Sequence, residues 1–519
     1  MNLEVKALYV ESYPRLAMLS RRTFAGTLGR AGFAASLGRM AFVSRWSSVS
    51  ASETRLPAHL VQFRPEIEPL VRLLEDTARE RVIEEVASRI RKGLTYRDVV
   101  SALFLAGIRN IQPRPIGFKF HAVLVVHAAH LAAQAATDSD RWVPILWAVD
   151  QFKSSQARDI QEGDWAMAAV EESAVPPAHR ARQAFRDAME SWDETAADTA
   201  ITGLARTAGA HEIFEILCRY GIRDFRELGH KLIYIVNAFR ALEVIGWPHA
   251  EPVLRGIVYA LLDRVGDANP SKKDLPADRP FRRNEVLIRE IREGWVQGLV
   301  DTEMPRRLMS AAREGSAVDT SRLVVEQLNR GVGPASILDG LHLAASDLLV
   351  REPGILSLHA HTFTNAVHYA WQHVRSDELR RLLLAQNAAF LPLFRGEPKK
   401  KRLTVESLEP QMPSAKDTTG ALEEIFADVG PNTALAASKL LGWFKEHPDL
   451  QPFADMARRL IFLKGRDAHD YKFSSAVLED IPQVDERWRG RFVAASLFNL
   501  RGSAEKDTDL VKRIREAMG

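Results

Sequence analysis

From Pro57 onward the apolar residues of this chain recur every three or four positions, and runs that alternate residue by residue are nearly absent. That period lays apolar side chains along one stripe of an α-helix and cannot be laid on a pleated sheet. The expected fold class is therefore all-α. Thr77 to Ile90 shows the pattern plainly, with Val82, Ile83, Val86 and Ile90 on one face. Similar segments cover 96–108, 118–136, 141–160, 178–208, 211–220, 224–245, 249–265, 283–313, 318–330, 334–351, 355–374 and 376–391. Gly107, Pro113 with Pro115, Pro176-Pro177, Gly246-Trp247-Pro248 and Pro353-Gly354 punctuate them. No unit of about 30–45 residues repeats cleanly, so a regular solenoid is not expected. The reading is a large, irregular helical-bundle domain with a C-terminal helical extension.

The boundaries follow from composition. Residues 1–51 read as a leader, because Ser20-Arg21-Arg22-Thr23-Phe24 resembles a twin-arginine export motif and Val49-Ser50-Ala51 offers small residues for cleavage. The apolar stretch between them is broken by Arg30 and Arg39, which is poor for a membrane span. Met18 offers an alternative start. The expected location is periplasmic or exported by that route, and otherwise cytoplasmic. Residues 52–395 form the main helical domain, 396–419 a linker containing Lys399-Lys400-Lys401-Arg402, and 420–519 the C-terminal helical segment. Gly266 to Arg282 is the longest irregular stretch of the main domain, a loop or a lid.

Charge and cysteine content remove several functions. Lys+Arg number 70 and Asp+Glu 67, a formal net charge of +3 over 519 residues, which argues against a general nucleic-acid binder. The single cysteine, Cys218, excludes an intrachain disulfide framework and any Cys-rich metal site. There is no Gly-rich phosphate loop and no GxSxG nucleophile elbow.

The chemistry-bearing signal is histidine. Of the 15 histidines, 12 lie between His121 and His373, several of them inside apolar helices. Phe120-His121-Ala122-Val123-Leu124-Val125-Val126-His127-Ala128-Ala129-His130 is the densest case. A buried imidazole needs a partner, and a metal ion satisfies one ring nitrogen while an acceptor takes the other. A second cluster, Leu358-His359-Ala360-His361-Thr362, continues through Asn365 to His368. The two share the spacing His-Ala-x5-Ala-x-His-x-Ala. Residues nine apart on one ideal helix are rotated by about 900°, half a turn after whole turns are removed. His121 and His130, or His359 and His368, therefore cannot serve one ion from a regular helix. An irregular entry after Pro115 and Gly117 would relax this limit for His121. His230 follows Gly229 on another apolar segment, with Tyr234 one turn later. Lys153 shares a helical stripe with Val149, Gln156 and Ile160, where a lysine snorkels, pairs with Asp150 or Asp159, or is chemically modified.

Three short blocks resemble the questin oxidase-like family: Phe120-His121 with His127 and His130; Gly229-His230-Lys231-Leu232-Ile233-Tyr234; and Leu358-His359-Ala360-His361-Thr362. They span residues 120–370, about half the chain. The resemblance implies an all-helical oxygenase with a non-haem iron, Fe(II), held by several histidines and a carboxylated lysine. Carried onto this sequence, it implies His121, His230, His359 and His130 as metal ligands. Thr362 would lie on the oxygen or substrate side. Lys153 is the candidate for the modified lysine, chosen from its helical stripe and not from a family motif. His127 and His361 depart from the pattern, and 420–519 has no counterpart in it. Tyr234 is a candidate catalytic residue. Tyr234, Phe363 and Trp371 offer aromatic walls for a flat substrate.

The expected partners are a small aromatic or quinone-like molecule and dioxygen, with no nucleic acid and no stable membrane span; the sequence leaves the oligomeric state open. Two other readings fit the same residues. One is a metal-free helical binding or scaffold protein in which the histidines pack helix interfaces. The other is a hydrolase using zinc in the same pocket.

Overall fold

A computed structural model describes residues 59–263, 274–395 and 403–519. The leader, the core of the Gly266–Arg282 stretch and the basic run at 399–402 lie outside these residues. The described chain is all-α, with 22 α-helices joined by short turns and 3-10 segments. Among the described residues extended backbone pairs only at two isolated bridges, Leu60 with Ala168 and Leu299 with Val332. No described helix is long and apolar enough to cross a membrane.

Most helices begin and end where local chemistry requires. Thr95, Asp193, Ser376, Asp417 and Asn432 each cap a helix N-terminus through a side-chain oxygen. Two segments depart from the periodic reading. The 178–208 stretch is two helices, Ala178–Ser191 and Glu194–Thr207, because Trp192 takes a left-handed conformation (φ 61°) and Asp193 caps the second helix. The 283–313 stretch is interrupted as well. A helix spans Arg279–Leu287 and the next starts at Met304. Between them Gly298 packs so closely on the Val332 and Gly333 backbone that no side chain fits there.

Four helices position the site described below: His121–Gln134, His230–Ile245, Ile355–His373 and Ala468–Asp480. The first three are buried on nearly every side, which explains why apolar residues appear on all faces of each. The Ala468–Asp480 helix belongs to the C-terminal segment, yet it packs against the first and third of them. Tyr471 stacks on Trp147 with ring centroids 4.1 Å apart. Glu479 forms a wholly buried ion pair with Arg240 at 2.7 Å. Farther out, Arg513 grips Glu84 and Arg515 grips Asp140. The C-terminal segment is thus folded into the main body.

Candidate metal centre

His121 follows a 3-10 turn over Phe118–Phe120 and is the first residue of its helix. His230 is likewise the first residue of its helix, and His359 the fifth of its own. Gly229 precedes His230 with φ 87°, a conformation that disfavours any side chain. A Cβ at that position would also collide with the Phe363 ring. The glycine therefore lets the His230 turn settle on the Ile355–His373 helix.

His230 stands in close contact with both other imidazoles. His230 Nε2 lies 3.2 Å from His121 Nε2 and 3.2 Å from His359 Nε2. Every Nδ1 is turned the other way. His121 Nδ1 lies 2.9 Å from the Phe118 carbonyl, His230 Nδ1 2.7 Å from that of Glu227, and His359 Nδ1 2.6 Å from that of Ile355. A carbonyl oxygen only accepts, so each Nδ1 carries the hydrogen. Each neutral ring then turns the lone pair of its Nε2 toward a neighbour, His230 toward both of the others. Burial, reinforced by the charge of Lys472, holds the His230 pKa down at about 3. Burial also pushes His359 well below the ordinary histidine value. Protonation at neutral pH therefore does not relieve the contact. A cation does. Two nitrogens about 2.1 Å from one ion and 3.2 Å from each other subtend roughly 100° at it, a normal ligand angle.

A fourth histidine completes the group. His469 stands ring to ring with His121, centroids 4.5 Å apart. Its Nδ1 lies 2.7 Å from Asp467 Oδ1, which orients this ring as the carbonyls orient the others. Asp467 also caps the helix through a reciprocal box with Asp470. Lys472 lies one turn beyond His469, fully buried, and its charge depresses His230. The His469 side chain is 20% exposed, whereas His230 and His359 are sealed.

The remaining candidates lie elsewhere. His130, nine residues and about 13 Å of helix beyond His121, has its Nδ1 3.0 Å from the Tyr96 hydroxyl. The half-turn limit thus applies, and His130 does not join the group. Lys153 does not join it either, nor does it pair with Asp150 or Asp159. Its ammonium donates to the Leu74 and Glu75 carbonyls at the end of the Glu68–Asp76 helix and to Gln156 Oε1. A buried cation at a helix C-terminus is stabilised by the terminal carbonyls, and this explains the apolar stripe around it. Asp150 instead pairs with Arg79, and Asp159 with Lys119. Thr362 is buried next to the group, but its hydroxyl donates to the His359 carbonyl. Tyr234 is buried edge-on against Phe120, centroids 4.8 Å apart. Its hydroxyl sits over Gly256, where a Cβ would come within 2.8 Å of it. Phe363 packs on Phe390, and Arg380 lies over Trp371 at 4.1 Å. His361 lies between Phe473 and Phe492.

Comparison with protein-family models, curated proteins and solved structures returns no match to this chain.

Proposed function

We propose that this chain is a non-haem iron oxygenase of the questin oxidase type, acting on an aromatic or quinone-like compound. The observation that carries the reading is the pair of 3.2 Å Nε2 contacts that His230 makes with His121 and His359, each ring fixed by an acceptor on its Nδ1, with His469 oriented the same way beside them. Neutral imidazoles joined by an anionic oxygen suit Fe(II). When bound, the iron supplies the means to activate dioxygen toward an organic molecule.

The chain's own residues supply the rest. His121, His230, His359 and His469 hold the ion. Lys472 takes the place that Lys153 was expected to fill. Its neutral amine would add to carbon dioxide, forming a C–N bond and releasing a proton, and the carbamate would replace the ammonium charge with one negative oxygen able to hold the ion. This matters because every member of the set lies within the first five residues of its helix. The four helix N-termini bring partial positive charge to the site, which favours an anionic ligand. The sealed sides at His230 and His359 keep water out. The twin-arginine-like motif fits this reading, since that route carries proteins already folded around a cofactor.

Iron analysis of full-length protein expressed with iron is the direct test. The four-histidine centre is expected to account for one iron per chain, which His230→Ala and His359→Ala each lose relative to wild type. Equal iron in the variants sinks the reading. Turnover that persists without dioxygen assigns the site to hydrolysis instead. Lys472→Met is expected to lose iron, and Lys153→Met to retain it.

A further inference from the structure

A second buried group lies at the far end of the same two helices. His342, on the Pro334–Arg351 helix, meets His368, near the C-terminal end of the Ile355–His373 helix. His342 Nε2 is 2.9 Å from His368 Nδ1. Asp480, the last residue of the Ala468–Asp480 helix, brings Oδ2 to 3.5 Å from His342 Nδ1. One donor atom from each of the three lies within 4.8 Å of the other two. All three side chains are buried. His368 is nine residues beyond His359, about 13 Å along the helix, so this group is separate from the first.

The surroundings aim these donors. Asn365 Nδ2 donates to Asp480 Oδ1 at 2.7 Å, which leaves the other oxygen turned toward His342. Gln372 lies 3.1 Å from His368 Nε2 and fixes the ring from its outer side. Phe492 stands edge-on against His342, centroids 5.7 Å apart. Glu479 next door is already committed to Arg240 and Asn365. One position stays unsatisfied: His342 Nδ1 makes no hydrogen bond, although it is sealed from water beside a carboxylate. A separation of 3.5 Å is too long for a good hydrogen bond. It is the separation of two donors about 2.1 Å from a shared ion.

We propose that His342, His368 and Asp480 form a second metal site, distinct from the four-histidine centre, for a divalent first-row transition ion. Two imidazoles and one carboxylate are a donor set for Fe(II), Zn(II) or Co(II), and a poor one for Mg(II) or Ca(II), which prefer all-oxygen shells. Burial keeps both rings neutral, as metal ligation needs: His368 is held near 4 and His342 well below the ordinary value. The site draws one donor from each of three helices, one of them from the C-terminal segment.

The test uses full-length protein stripped with a chelator, reloaded with excess Co(II) without dioxygen, desalted and analysed for cobalt per chain. Wild type is expected to hold two equivalents, and Asp480→Asn and His368→Ala one each. Asp480→Asn preserves size and shape, and circular dichroism checks that both variants fold. His230→Ala, which strikes only the first centre, is expected to retain one equivalent, and His230→Ala/Asp480→Asn none. If the first centre fails and this one stands, wild type and His230→Ala both hold one and Asp480→Asn none. Wild type holding a single equivalent that survives Asp480→Asn and His368→Ala overturns the proposal, leaving Asp480, His342 and His368 as a hydrogen-bonded relay. Wild type holding no cobalt overturns both sites.

Discussion

His230 and His359, 129 residues apart in the chain, meet Nε2 to Nε2 at 3.2 Å while each anchors its Nδ1 on a backbone carbonyl. Neither ring has a hydrogen to offer the other. The contact is repulsive in an empty protein and attractive around a cation, and the predictions below follow from it and from its supports.

Asp467 orients His469 and caps the helix that carries it. Asp467→Ala is expected to cost about 0.5–2 kcal/mol from the lost cap and to weaken iron binding roughly 10–100-fold through the freed imidazole. Competition with a graded chelator reads the second quantity. Unchanged affinity would separate His469 from the centre.

The metal-free protein should lose stability on acidification. The His230 pKa is lowered to about 3 in the folded chain, whereas an unfolded histidine titrates near 6.5. Between those values the unfolded state binds more protons, so stability falls as pH falls, at up to about 1.4 kcal/mol per pH unit for one such group. Glu227, raised to about 8 by burial and Asp263, works in the opposite direction. Comparing urea midpoints of wild type and His230→Gln from pH 7 to 4 cancels that common effect. A shallower slope is expected in the variant, and parallel curves refute the assignment.

Gly229→Ala forces a left-handed alanine into the Phe363 ring. The conformation costs roughly 1–2 kcal/mol and the overpacking about 1–3 more. Iron content should fall with stability, because His230 is the next residue. Adding Phe363→Leu should recover part of the loss. A variant as stable as wild type would contradict the packing described here.

Lys153→Met tests the opposite case. Removing the ammonium leaves the Leu74 and Glu75 carbonyls without their donor, at a cost of about 1–3 kcal/mol. A lower melting temperature is expected with iron and activity intact. Lost iron would return Lys153 to the metal centre.

The helical architecture was legible because apolar residues at helical period leave no alternative for most of the chain. The reading failed at 283–313, where Trp295, Val296, Leu299 and Val300 continue the apolar count but Gly294 and Gly298 break the backbone. His121, His230 and His359 were legible because each stands among apolar neighbours that only a buried helix explains. His469 was missed for the opposite reason. Its neighbours Arg466, Asp467 and Asp470 are polar, since they build a helix cap and an ion pair with Arg501, and this disguised the fully buried Tyr471, Lys472 and Phe473 beside them. The signal was an Asp two residues before a His with a Lys one turn later. The Lys153 stripe admitted snorkelling, pairing with Asp150 or Asp159, or modification, and the helix end that the ammonium actually meets is too remote in sequence to leave a mark on that stripe.

The Ala468–Asp480 helix reaches both groups of imidazoles, and it is synthesised after every other segment that does so. During translation His121, His230 and His359 exist for some time without His469 or Lys472. On the proposed reading, a nascent chain would offer an incoming ion an incomplete set of ligands, and the full set only after the last of the four helices docks. On that reading, metal acquisition would follow the ribosome's work, and a cell starved of iron would accumulate finished chains without metal.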